Sequence, residues 1–118
     1  MDERLTPQER IRKNKDFSTL YRKGSRYRGT YFHLVYLAGA FAFPRLAVVV
    51  SKKVGNAVVR NRIKRRIRAL FRKNKPLFVE PIDMILVAKK EILELSKPDL
   101  AAEFFAAVDR VYKGRRLS

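Results

Sequence analysis

The sequence has no cysteine and no tryptophan, and a single histidine among its 118 residues. The lack of cysteine excludes disulfide staples, thiolate zinc sites and cysteine nucleophiles, and it suits a cytoplasmic protein. No apolar run approaches the roughly 18 residues of a membrane-spanning helix. The opening MDERLTPQERIRKNK has neither the apolar stretch nor the small-residue cleavage site of an export signal. The most informative absence is of negative charge. The eleven Asp and Glu fall at Asp2, Glu3, Glu9, Asp16 or from Glu80 onward, so residues 17–79 hold sixteen Lys and Arg and no carboxylate. The formal net charge is +17 and the pI near 10.9, far beyond what solubility needs. An excess of that size serves a polyanion, and with no membrane segment in view the polyanion is a nucleic acid.

Length and a 47% apolar content fit one domain with one modest core, spanning 1–118, with 1–13 and 114–118 as flexible ends. Asn14 is placed to cap a helix whose Phe17, Leu20 and Tyr21 share a side, with Gly24 as its stop. TYFHLVYL (30–37) and RLAVVVSKK (45–53) read as two strands of a hairpin-like pair. Gly55-Asn56 supplies a turn, since both residues tolerate positive φ at little cost. A helix then runs until Pro76 ends it. DMILVAK (83–89) is a third strand, and its continuous apolar run predicts a central position. The last helix starts near Ser96-Lys97-Pro98-Asp99, buries Leu100, Phe104, Ala107, Val108 and Val111, and stops at Gly114. The order is αββαβα, an α+β chain without repeats or low-complexity tracts.

GNAVVRNRIKRRIRALFR (55–72) carries seven positive side chains and no negative one. On a helical wheel Val59, Ile63, Ile67, Leu70 and Phe71 fill an arc of about 120°, the width of a core-facing stripe. Asn61, Lys64, Arg65, Arg68 and Arg72 occupy one adjoining arc, and Arg62, Arg66 and Lys73 the far flank. A solvated helix face interleaves charges of both signs; this one does not. Six of the cations between 60 and 72 are arginine, whose planar fork bonds phosphate bidentately and stacks on bases, which favours a structured RNA. Asn61 is the one side chain in the basic arc with both donors and an acceptor, able to read a base edge or a ribose hydroxyl; the alternative is a helix cap. Lys52 and Lys53 extend the ridge. A DNA-binding regulator is disfavoured, because cations around the whole exposed face suit backbone docking more than groove readout. A nuclease centre of the chain's own is disfavoured as well. Metal-dependent cleavage needs clustered carboxylates, and metal-free cleavage commonly pairs two histidines.

SKKVGNAVVRNRIKRRIR (51–68) resembles the signature of the bacterial ribonuclease P protein family. Asp16-Phe17, Arg45-Leu46 and Ala88-Lys89-Lys90 are similar to further family features, so the resemblance covers nearly the whole chain. It implies an α-β sandwich with a left-handed βαβ crossover, as in ribonuclease P and some ribosomal proteins, against the usual handedness. It also implies a protein without catalytic residues that binds a catalytic RNA and precursor tRNA and assists Mg²⁺-dependent removal of the 5′ leader, the ion being held mainly by RNA. The implied RNA-facing residues are Lys52, Lys53, Arg60, Asn61, Arg62, Lys64, Arg65 and Arg68. The implied leader cleft is lined by Phe17, Tyr21, His33, Val35, Val49 and Ser51, with valine at 35 where the family often has an aromatic, and Tyr31 and Tyr36 nearby. The other reading is a ribosomal or other structured-RNA-binding protein with no part in cleavage.

Overall fold

A computed structural model describes residues 7–39 and 41–116. Three helices, α1 (Asn14–Lys23), α2 (Ala57–Lys73) and α3 (Lys97–Arg116), pack on four strands, β1 (Ser25–Arg28), β2 (Phe32–Ala38), β3 (Arg45–Val49) and β4 (Ile82–Ala88). The strand order is β1-β2-β4-β3. β4 is central as expected, antiparallel to β2 and parallel to β3. The expected hairpin between the two N-terminal apolar strands does not form. β4 lies between them, because its side chains from Ile82 to Leu86 are buried on both faces and need a neighbour on each side. The hairpin that does form joins β1 to β2, with Ser25 opposite Tyr36 and Arg28 opposite His33. The reading of the sequence missed β1 because three of its four residues are polar.

Alternation along the strands gives the sheet two unequal faces. Phe32, Leu34, Leu46, Val48, Met84 and Leu86 face α2 and α3 in the main core. There Ile63, Ile67 and Phe71 seat α2, and Leu100, Phe104, Ala107, Val108 and Val111 seat α3, both stripes as expected. Phe78 stands 4.8 Å from the Phe71 ring and 6.4 Å from those of Phe104 and Tyr112, locking the turn after α2 between the helices. The opposite face holds a smaller cluster of Ile11, Leu20, Val35, Ala47 and Ile85, covered by α1 and the segment before it.

Several details differ from expectation. Lys13, not Asn14, occupies the cap position of α1, with no side-chain cap bond. No described residue has positive φ. Asn56 instead caps α2, its Oδ1 accepting from the Val59 amide at 3.0 Å. Glycine at 55 answers crowding: a Cβ there would sit 2.9 Å from Val59 Cγ1. Residues 7–13, expected to be loose, have a place on the sheet, with Arg10 bridging to Leu46 and Ile11 and Glu9 buried. α3 continues past Gly114 to Arg116. Residues 1–6, 117 and 118 lie outside the described residues.

A buried ion network fixes α1 to the sheet end. Arg45, 7% exposed, donates from Nε and Nη2 to the Asp83 carboxylate at 2.9 and 2.7 Å and from Nη1 to Asp16 Oδ2 at 3.3 Å. Donating these hydrogen bonds to Asp83 raises the arginine pKa above its ordinary value. Removing Asp83 strands a buried cation, whereas Asp16 is more exposed and holds one longer bond. We therefore expect Asp83→Ala to lower unfolding stability by about 3 kcal/mol and Asp16→Ala by about 1 kcal/mol. Urea denaturation of both variants checks the order, and equal losses would contradict this division.

Candidate RNA interface

α2 lies with its apolar stripe down and its cations outward or to the sides. Asn61, Arg62 and Arg65 are exposed, as are Lys52 and Lys53 on the turn that precedes the helix. With Asn56 as the cap, Asn61 lies inside the helix with its side chain in solvent, which removes the capping alternative for it. Arg60 is half-buried, its Nη1 donating to the Gly55 carbonyl at 2.9 Å, so part of its hydrogen-bonding capacity goes to bracing the helix start. Lys64 and Arg68 are also half-buried. Burial, and then the charge of Arg10, push the Arg68 pKa down, although a guanidinium stays charged at any working pH.

The two flanks of α2 differ in what they meet. On one side the N-terminal segment docks. The buried Glu9 carboxylate receives Arg72 at 3.3 Å and also Lys75, so Arg72 is a structural tie rather than free surface. On the other side Arg62, Arg65, Arg66 and Lys73 face Lys97 of α3 across an open groove of about 400 Å³ floored by Ala69, Leu70 and Leu100. Arg66, Lys73 and Lys97 were not among the residues singled out as RNA-facing. The helical wheel places the first two on the far flank, but the approach of Lys97 depends on how α3 packs.

The second candidate surface lies on the opposite face of the sheet. Arg28, His33, Val87 and Val49 form a row across all four strands. The next row, Arg26, Val35, Ile85 and Ala47, runs beneath Leu20 of α1. The row that α1 leaves uncovered opens a cleft of about 270 Å³ lined by Tyr21, Arg26, Arg28, His33, Val35 and Val87. Tyr21 is 41% exposed, and its carbonyl accepts from Arg26 Nη2 at 2.8 Å. The Arg26 guanidinium carbon stands 6.0 Å from the Tyr21 ring centre. Phe17 and Val49 are half-buried against the small cluster, and Ser51 is exposed past the end of β3.

Val35 is 2% exposed and serves as floor. Tyr31 and Tyr36 pack against the main core on the other face, so neither supplies an aromatic to this cleft. Sequence reading missed Arg26 and Arg28. The available signal was the alternation of Arg26, Tyr27 and Arg28 between Gly24 and Gly29, the pattern of a short edge strand.

Burial, then Lys89 and Arg28, push the His33 pKa below 6.5, so the imidazole is neutral at physiological pH. Its Nδ1 is buried and unpartnered; among the described residues the other such side-chain atom is Arg10 Nε. Among the described residues no group of three or more His, Asp or Glu is placed to hold a metal ion. Among the described residues no helix is long and apolar enough to cross a membrane.

The family model for ribonuclease P matches residues 5–112. The ribonuclease P protein component of Desulfatibacillum aliphaticivorans is 40% identical over 111 residues, covering 94% of each chain. That of Syntrophus aciditrophicus is 40% identical over 99 residues, covering 84% of this chain and 83% of its own. Among solved structures, a Staphylococcus aureus RNase P protein mutant with defective mRNA degradation activity superposes with a TM-score of 0.84 at 30% identity, covering 89% of both chains. The Thermotoga maritima RNase P protein superposes at 0.79 with 26% identity, covering 86% of this chain and 96% of its own. With its sheet, its basic helix and nearly its full length matched, this chain belongs to the ribonuclease P protein family, the protein component of a tRNA-processing endoribonuclease.

Proposed function

We propose that this chain is the docking subunit of the ribonucleoprotein. α2 and the Lys52-Lys53 turn bind the catalytic RNA, and the cleft between α1 and the uncovered row of the sheet receives the 5′ leader of precursor tRNA. The observation that carries this reading is the outward face of α2, where exposed arginines stand on a rigidly seated helix in a stretch without carboxylates. Phosphates are the natural counter-charge, and their binding releases condensed cations from the RNA.

The chemistry belongs to the RNA in this reading. Mg²⁺ held on RNA phosphates supplies the charge neutralisation and activated water of hydrolysis, which leaves a 5′ phosphate on the mature tRNA. The protein contributes in three ways. Its arginines screen repulsion between RNA segments. Its leader contacts strengthen substrate binding. By letting phosphates crowd together, it also strengthens their hold on metal ions. In the cleft Tyr21 offers an exposed ring for a base, Arg26 and Arg28 offer donors for phosphates, and His33 offers a neutral imidazole.

Reconstitution with the cognate RNA tests this reading. At low Mg²⁺ the protein should restore cleavage of a precursor that carries a leader. Arg62→Ala/Arg65→Ala should weaken association with the RNA and make log K against log salt shallower by roughly 1.4, about 0.7 for each lost phosphate contact. An unchanged slope means that this face does not meet the RNA.

His33 allows a separate test of the cleft. Its folded pKa is below the unfolded value of 6.5, so the unfolded chain takes up the proton first. Stability is therefore full above that value and falls as pH drops through the window beneath it, and His33→Asn should flatten this dependence. A phosphate bound beside His33 favours the charged imidazole, so a single-stranded RNA oligonucleotide should raise the pKa read from this one histidine by NMR. An oligonucleotide that binds and leaves the titration unmoved places the strand elsewhere.

A further inference from the structure

A further cleft, of about 350 Å³, opens at the other end of α1. Its walls include Arg10, Arg12, Lys13, Phe41, Phe43 and Arg45. The Phe41 and Phe43 rings stack with their centres 5.6 Å apart and 16° between their planes. The guanidinium carbon of Arg45 stands 4.5 Å from the Phe41 centre, and Arg45 is itself held by Asp83 and Asp16. The aromatic pair thus stands against a fixed cation. Phe41 nevertheless remains 50% exposed, and neither ring belongs to either apolar cluster. Asp16, the one carboxylate on the wall, is already bonded to Arg45, while the remaining charges on the wall are cations.

An exposed aromatic platform among cations is the usual means of holding an unpaired nucleotide. The position of the platform selects which strand. Arg45 shares strand parity with Ala47 and Val49, so it points to the face covered by α1, away from α2. Lys13 and Lys15 beside the start of α1 line this cleft, and Tyr21 near the end of α1 lines the first. One helix therefore connects the two.

We propose that this cleft binds a second, more distal nucleotide of the leader strand, its base stacked on the exposed Phe41–Phe43 pair and its phosphate met by Arg12 and Lys13. The proposal rests on the leader reading of the first cleft and adds a second site to it. Phe41 is then a specificity-determining residue for leader length: short leaders reach only Tyr21 and His33, and longer ones engage both clefts.

The test uses the reconstituted holoenzyme and a series of precursors whose leaders lengthen one nucleotide at a time, with 2-aminopurine at the distal end. The wild-type complex should gain affinity in two steps. Phe41→Leu/Phe43→Leu keeps an apolar cover over Arg45 and removes the rings; it should lose only the second step, about tenfold in affinity, and the quenching that accompanies it. Phe41→Trp should retain both. A leucine variant that keeps both steps and the quenching overturns the proposal. So does one that weakens binding of the catalytic RNA alone while leaving the leader series unchanged, since the rings would then serve that RNA. If affinity shows no dependence on leader length even for wild type, the leader reading of the first cleft fails, which is a different result.

Discussion

The seating of α2 on the sheet is the constraint from which the rest follows. Ile63, Ile67 and Phe71 are almost completely buried, and such side chains contribute about 1.5–3 kcal/mol each. Neighbouring exposed cations repel one another by about 1 kcal/mol at 4 Å in water, less once salt screens them. Burial therefore outweighs repulsion, and the helix persists without carboxylates of its own. A cationic surface held this way is pre-formed, so a partner need not spend its own binding energy on ordering the helix.

The same arrangement makes the sheet asymmetric. Two helices and the Phe71, Phe78, Phe104 and Tyr112 ring cluster cover one face, which leaves it no room for a ligand. The other face has one ten-residue helix, tied down at its first turn by the Asp16, Arg45 and Asp83 network. A helix that short shields part of a four-stranded sheet and leaves the row through His33, Val87 and Val49 open. The cleft is the part of that sheet face beside α1 that the helix does not cover. Its location is set by where Arg45 anchors the helix.

The helices and the central strand were legible because their signals are local. The apolar stripes of α2 and α3 and the continuous run in β4 are fixed by periodicity, and the buried residues are the expected ones. Strand pairing was not legible. The short connection between β2 and β3 suggested a hairpin, while the burial demand of β4, more than thirty residues downstream, decided the order. Local charge pattern likewise placed Arg62 and Arg65 on an exposed face, where the structure has them, but could not show that Arg72 would be taken by Glu9, sixty-three residues earlier in the chain. The aromatic pair at Phe41 and Phe43 sits in a stretch that reads as a loop; only its placement against Arg45 and the start of α1 gives it a surface to share.

β1 forms one border of the sheet, and its outermost residues alternate arginine with tyrosine. An unpaired border of this kind invites another chain to add a strand, which is the first step toward fibrous assembly. Arg26 and Arg28 put two positive charges on that border, and a second copy arriving there would bring two more. At the far border, the bridge from Arg10 to Leu46 already occupies part of β3. A chain this basic is therefore protected from polymerising with itself by the same side chains that make it attractive to phosphate.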